Sequence, residues 1–138
     1  MKKGIILTAI TILTSVLTFA QDLKDGNADL LATIDTLGVI KDVNGSTIGS
    51  ITTAGEVKDF SGIIIGEIDG NNFKDINDAL IGSINASDEI LDMNGDKIGN
   101  VQDGLKVYDA GGGLIGEASA FVEAKKLAAF FIFYFNKP

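Results

Sequence analysis

Short stretches of alternating apolar and polar residues recur five times between Val39 and Ala118. Each copy contains an apolar residue, a spacer, Asp, another apolar residue, a two-residue turn and then Ile-Gly. The Asp positions step by 17, 16, 17 and 17 residues, and the Ile-Gly pairs follow the same steps: Asp42, Asp59, Asp75, Asp92 and Asp109; Ile48-Gly49, Ile65-Gly66, Ile81-Gly82, Ile98-Gly99 and Ile115-Gly116. A fixed period of this size predicts one small unit, copied in tandem, that buries its apolar face against its neighbours.

The pattern within each copy predicts a β-hairpin. In the first copy, Asp42 suits the opening of a type I turn, and Gly45 suits the left-handed bulge position that follows. This register places Ile40 opposite Ile48 as an apolar cross-strand pair, with Lys41 on the other face. The equivalent predicted pairs are Val57 with Ile65, Phe73 with Ile81, Ile90 with Ile98, and Val107 with Ile115.

One copy departs from this turn chemistry. Asp78 stands where four copies have Gly, which accepts a left-handed conformation at lower cost. The third hairpin is therefore predicted to be the least stable or to use a different turn.

The predicted fold class is all-β, with hairpin repeats at about residues 38–53, 54–70, 71–87, 88–103 and 104–119. Five twisted hairpins arranged radially can close with pseudo-five-fold symmetry and leave few free strand edges. We expect the strand that begins the pattern at Ile34 to pair with the strand that ends it at Ala118. An open stack of hairpins, a short β-solenoid, is the alternative.

The C-terminal segment, residues 120–138, has a different pattern. Residues 120–127 predict about two helical turns. Residues 128–135 are uncharged and apolar or aromatic, a run too short to span a bilayer as a helix. It is predicted to be either a buried strand or plug at one end of the repeats, or an exposed contact surface. The candidate contact residues are Phe130, Phe131, Phe133 and Phe135.

The N-terminal segment, residues 1–20, is typical of a secretory signal peptide, with Lys2 and Lys3, an apolar run and a small residue at Ala20. Cleavage there leaves residues 21–138 as one domain, with no membrane span in the mature form. The protein is therefore expected to be exported, either periplasmic or extracellular. Because the chain has no Cys, it has neither disulfides nor a lipoprotein anchor.

Charge and composition narrow the possible functions. The chain has 19 acidic residues against 11 basic ones and a formal net charge of −8, which argues against nucleic-acid binding. With no His and no Cys, the usual nucleophile-base pairs and zinc-thiolate sites are missing. We therefore predict no catalytic, cofactor or metal site.

A calcium loop is the closest approach to a metal motif. Asp92, Asn94 and Asp96 alternate in the manner of an EF-hand, but the sixth and twelfth positions are Lys97 and Asp103, where Gly and Glu are needed. The recurring Asp is instead expected to accept backbone N–H groups of its own turn.

The repeated phrase resembles that of the five-fold β-flower family, small secreted bacterial proteins common in Bacteroidetes-like bacteria. The resemblance rests on segments such as 55–59 and 65–68, and on the closing run Ala128-Ala129-Phe130-Phe131-Ile132-Phe133. It covers about residues 34–135 and implies a fold of pseudo-five-fold hairpins without implying a function. The chain departs from the family phrase at Asn71-Asn72 and at Leu105.

The leading hypothesis is an exported, non-enzymatic structural or binding module whose partner is an unknown protein or envelope component. Its loops or its Phe-rich end would form the contact surface. The alternative is a protein that holds a small ligand or a metal ion on the pseudo-symmetry axis, where equivalent residues of the repeats converge. An enzyme is the third hypothesis.

Overall fold

The computed structural model describes residues 20–135. Except for Ala20, the predicted signal peptide lies outside these residues, and so do residues 136–138. The strands are β1 (Gln21–Asp25), β2 (Leu30–Ile34), β3 (Val39–Asp42), β4 (Thr47–Ile51), β5 (Glu56–Asp59), β6 (Ile64–Asp69), β7 (Asn72–Asp75), β8 (Leu80–Ile84), β9 (Glu89–Asp92), β10 (Lys97–Gln102), β11 (Lys106–Asp109) and β12 (Leu114–Ala118), followed by helix α1 (Ala124–Phe135).

The strands form one closed antiparallel barrel in which each strand pairs with its neighbours in sequence. The all-β class and the closed arrangement are thus confirmed. The predicted closing strand was wrong, however. The barrel closes between β1 and β12, with Leu23 opposite Ala118, whereas Ile34 lies on β2 and pairs with β1 and β3.

The described chain contains six hairpins, because β1 and β2 form one more repeat before the five predicted ones. Its turn residue, Asp25, precedes Asp42 by the same 17 residues. Leu31-Ala32 stands where the other copies have Ile-Gly, so this copy lacks part of the repeated phrase. The sixth hairpin supplies the strand that closes the barrel.

The hairpin turns have the predicted chemistry. Asp42 Oδ1 accepts the backbone N–H groups of Asn44 and Ser46 at 2.9 and 3.0 Å. Gly45 donates its N–H to the Asp42 carbonyl at 3.0 Å and has φ +80°. The third hairpin makes the same turn, with Asp78 at φ +65°. The prediction of a different turn there is wrong, while its lower stability stays a prediction.

The predicted register fails two residues beyond each turn. Lys41 lies opposite Thr47 as expected, but Ile40 lies opposite Gly49, because Ile48 is the extra residue of a second bulge. A bulge sets two residues against one and shifts every later pair. The same shift occurs in the other four predicted hairpins, where the actual partners are Val57 with Gly66, Phe73 with Gly82, Ile90 with Gly99, and Val107 with Gly116.

Helix α1 fills the interior of the barrel. Its residues from Leu127 to Phe131 are buried and belong to one cluster with the inward-facing strand residues, such as Ile40, Val57 and Phe73. A helix that is apolar on all sides is stable only when it is surrounded. The barrel wall supplies those surroundings, so the Phe-rich run is the central part of the core.

The inward glycines make room for the aromatic residues of this helix. A Cβ atom at Gly66 would collide with the ring of Phe133, and one at Gly116 would collide with the ring of Phe131. These glycines lie opposite the large residues Val57 and Val107 on the neighbouring strands. Clearance for the helix therefore sets the glycine at these two positions, whereas a Cβ atom at Gly82 would first meet the Leu91 carbonyl at 2.8 Å.

The helix runs from one end of the barrel toward the other. We call the end with the Asp turns the turn end and the opposite end the connector end. The segment before α1 is attached at the connector end, where the Val122 N–H donates to the Gly104 carbonyl at 2.9 Å. Deeper in the barrel, the Tyr134 hydroxyl lies 2.6 Å from the Lys58 carbonyl and 3.1 Å from the Ser50 carbonyl.

Burial beside these carbonyls raises the pKa of Tyr134 to about 12. Because the folded pKa exceeds the unfolded one, the associated stability is complete below about pH 10 and is lost as the pH rises through 12. In a Tyr108→Phe variant, Tyr134 is the remaining tyrosine. Its phenolate absorbance is expected to titrate near pH 12, and a midpoint near 10 would show that its hydroxyl lies in water.

Candidate contact surface

The predicted contact residues of the C-terminal segment lie in the core. Phe130 and Phe131 are fully buried, and Phe133 and Phe135 are half-buried against the same cluster. An exposed contact surface is therefore wrong for Phe130 and Phe131. The alternative prediction, a buried plug, describes the segment, although it is a helix and not a strand.

The pseudo-symmetry axis is likewise occupied by α1. A ligand site on an open axis, as the alternative hypothesis required, therefore has no space in the middle of the barrel. Among residues 20–135, no three His, Cys, Asp or Glu side chains are grouped so that they could hold a metal ion. The same residues include no helix of the length and apolar character that a membrane span requires.

Four well-exposed apolar side chains of the turn end lie directly after the turn aspartates. Val43, Phe60, Ile76 and Met93 are 58%, 74%, 64% and 63% exposed. They belong to four hairpins that are adjacent around the barrel. The corresponding residues of the remaining two hairpins are Gly26 and Ala110. The large apolar residues that follow a turn Asp thus lie on one side of the turn end, while the other two hairpins expose Leu30 and Leu114 at 39% and 36% where β2 and β12 begin.

Further apolar residues are exposed beside two of these turns. Ile63 is 59% exposed, and Ile64 and Leu80 are also exposed where their strands leave the turns. Ile64 and Ile76, from neighbouring hairpins, line one groove of about 180 Å³. We define the turn-end apolar surface as Val43, Phe60, Ile63, Ile64, Ile76, Leu80 and Met93.

The fold itself does not require these side chains. The position after Asp in a type I turn accepts most residues, and the turn at Asp109 forms the same hydrogen bonds with Ala110 in this position. Single exposed apolar residues are common, but a contiguous group usually marks an interaction site. The sequence did contain a signal, because an apolar residue after Asp is part of the repeated phrase.

The same end of the barrel carries strong negative charge. The six turns contain nine aspartates and no lysine, so this surface is acidic as well as apolar: Asp25, Asp29, Asp42, Asp59, Asp75, Asp78, Asp92, Asp96 and Asp109. Each of the six that opens a turn uses its Oδ1 atom to accept two backbone N–H groups. The other three aspartates of these turns are exposed: Asp29, Asp78 and Asp96.

Several lysines of the barrel wall are paired with carboxylates away from the turns. The Lys58 ammonium lies 3.0 Å from Glu56, and that of Lys97 lies 3.0 Å from Glu89. Hydrogen bonds from Asn85 and then from Lys97 lower the pKa of Glu89. Glu56 lies two residues closer to the connector end than Lys58 on the same strand, and Glu89 lies two residues closer to it than Leu91, which faces Lys97. These lysines are therefore drawn away from the turn-end aspartates.

Lys74 is shared between the wall and the turn end. Its ammonium lies 2.7 Å from Asp69 and 3.2 Å from Asp78. The hydrogen bonds that its ammonium donates to Asp69 and Asp78 raise the pKa of Lys74. Both acidic partners are well exposed, so water screens the pairs and they add little stability.

The connector end has a different character. A cavity of about 400 Å³ lies between the start of α1 and the loops, lined by Thr52, Gly55, Gly70 and Lys126 among others. Lys125 pairs with Glu123 at 3.3 Å beside it. The exposed large apolar residues there are Leu37, Leu105 and Phe121. Acidic and basic residues are thus mixed at this end.

Comparison with protein families agrees with the repeat pattern and the barrel. The family model described as "5-fold beta-flower protein" matches residues 20–135. The chain belongs to the 5-fold β-flower family. The match to this β-flower model spans all six hairpins and the helix, and so supports the family resemblance found in the repeats. Comparison with curated proteins and with solved structures finds no match for the chain.

Proposed function

We propose that this protein is an exported, non-enzymatic binding module and that the turn-end apolar surface is its contact site. The observation that carries the proposal is the exposure of Val43, Phe60, Ile76 and Met93 on four adjacent turns. The rest of the barrel acts as a rigid support, because its core is filled by α1 and its strands have no free edge.

The chemistry of the side chains supports binding over catalysis. The chain has no His and no Cys, so the commonest general base and the thiolate nucleophile are both missing. Aromatic residues and Met are enriched at the centres of protein interfaces, where they lose contact with water. Phe60 and Met93 are therefore the expected anchors of the contact.

The experiment is affinity capture from a native envelope extract, with the segment from Gln21 to Pro138 as bait. This segment contains every described strand and the helix. We expect one saturable partner, and we expect Phe60→Ser with Met93→Ser to reduce its capture at least tenfold. Truncation of a central anchor commonly costs more than 1 kcal/mol, and two such losses combine.

A matched variant provides the control. Leu37→Ser with Phe121→Ser removes one aliphatic and one aromatic side chain at the connector end, where both are exposed. This variant is expected to capture the partner as well as the unmodified chain does. Equal capture by both double variants, with native melting curves, would refute the turn-end apolar surface as the contact site.

A further inference from the structure

We infer that the partner presents a cationic amphipathic surface, in which Lys or Arg residues surround a patch of apolar side chains. This inference rests on the proposed function and specifies what the turn-end apolar surface would bind. It follows from the arrangement of charge around the exposed apolar side chains. Two of the exposed carboxylates, Asp78 and Asp96, follow closely after Ile76 and Met93.

Asp78 and Asp96 lie at these two turns, two and three residues after Ile76 and Met93 respectively. Both are exposed, and the carboxylates that accept the backbone N–H groups of these turns are those of Asp75 and Asp92. Within residues 20–135, the ion-pair partner of the Asp78 carboxylate is Lys74, and the pair is exposed. Their charge is therefore available to an approaching partner.

The lysines nearest to these turns cancel this charge only in part. Lys58 and Lys97 pair with Glu56 and Glu89 on the wall, and Lys74 is shared with Asp69. A partner that covers the apolar side chains must therefore also approach the aspartates of the turns. Opposite charge around an apolar patch favours encounter, and like charge disfavours it by several kcal/mol.

The same arrangement disfavours two other occupants. A second copy placed face to face would bring two sets of nine turn aspartates together. An anionic lipid surface would meet the same repulsion, because binding to such a surface needs clustered Lys or Arg. A basic protein segment with an apolar face satisfies both features of the surface.

The probe is a pair of synthetic amphipathic peptides with the same apolar residues, one with Lys and one with Glu at every polar position. Fluorescence anisotropy measures their binding to the Gln21–Pro138 segment at low and high salt. We expect saturable binding of the Lys peptide, weaker binding at high salt, and no saturable binding of the Glu peptide.

Two matched variants separate local charge from total charge. Asp78→Asn with Asp96→Asn is expected to weaken binding of the Lys peptide about threefold to tenfold, as expected for two exposed charge contacts. Asp88→Asn with Asp103→Asn removes the same charge at the connector end and is expected to change binding less than twofold. Asn tolerates the positive φ of Asp78, Asp88 and Asp103.

The results also distinguish this inference from the proposed function. Phe60→Ser with Met93→Ser preserves every charge and is expected to abolish saturable binding of the Lys peptide. A different outcome is that Phe60→Ser with Met93→Ser abolishes partner capture while the unmodified chain does not bind the Lys peptide, or binds both peptides equally. The inference of a cationic partner is then wrong, and the turn-end apolar surface remains the contact site.

Two further observations would overturn the inference. One is self-association of the unmodified chain in sedimentation velocity that Phe60→Ser with Met93→Ser abolishes. The other is binding to phosphatidylcholine vesicles that depends on the same two residues. If Phe60→Ser with Met93→Ser changes neither partner capture nor peptide binding, the proposed function itself is refuted.

Discussion

Replacing Phe130 with Ala is expected to lower the free energy of unfolding by about 3–5 kcal/mol, the usual cost of deleting a buried phenylalanine ring. Phe130 is fully buried on α1. Its ring lies 5.1 Å from that of Phe131, in an edge-to-face arrangement, and 4.8 Å from that of Phe135. The measurement is the urea dependence of unfolding for the variant and the unmodified chain.

Phe60→Ala makes the same chemical change at a residue that is 74% exposed. Its effect on the free energy of unfolding is expected to stay within about 0.5 kcal/mol. Similar losses for the two variants would contradict the burial of the Phe-rich helix inside the barrel. The comparison also shows whether Phe60 can be changed in binding experiments without loss of the fold.

The second large effect is expected at Gly116, where Ala should lower the free energy of unfolding by about 1–3 kcal/mol. A Cβ atom there would meet the ring of Phe131 on one side and the Lys24 carbonyl at 2.9 Å on another. The carbonyl belongs to the neighbouring strand β1, so it cannot rotate away as a side chain would. Chemical or thermal unfolding measures the loss.

Gly111→Ala is the matched control for this substitution. A Cβ atom at Gly111 would meet only Asp109 Oδ1 at 3.4 Å, an ordinary contact. Its effect is expected to stay within about 0.5 kcal/mol. If Gly116→Ala were equally mild, clearance for the helix would not explain the glycine of Ile-Gly.

The repeat period was sufficient to predict the hairpins, because turn chemistry depends on a few adjacent residues. Asp42 and Gly45 specify their turn locally, and the structure has that turn. The second bulge at Ile48 was not predictable in this way. The bulge places Gly49 opposite Ile40, and this position must leave space for Tyr134 of the helix. That helix is far away in sequence.

The C-terminal helix was only partly predictable for a related reason. A helix surrounded on all sides needs no amphipathic pattern, so residues 128–135 lack the periodicity that identifies most helices. Aromatic residues are also frequent in strands. The burial of Phe131 depends on the closed barrel around it, which local sequence does not determine.

The candidate surface depends on both local and global features. The apolar residue after each turn Asp was visible in the sequence, but its exposure depends on where the turn projects. The antiparallel pairing of strands in sequence order places Phe60 and Met93 at the same end, with Ile76 between them. The tertiary structure thus buries the predicted Phe-rich surface and exposes the turn-end apolar surface instead.

The most direct test of this account is thiol labelling of Ala128→Cys under native conditions. The chain has no other Cys, and Ala128 is fully buried on α1. The account predicts labelling only as fast as global unfolding allows, whereas Ala54→Cys, on an exposed connector, should react at the rate of a free thiol. Equally fast labelling at both positions would place the Phe-rich helix outside the barrel and contradict the account.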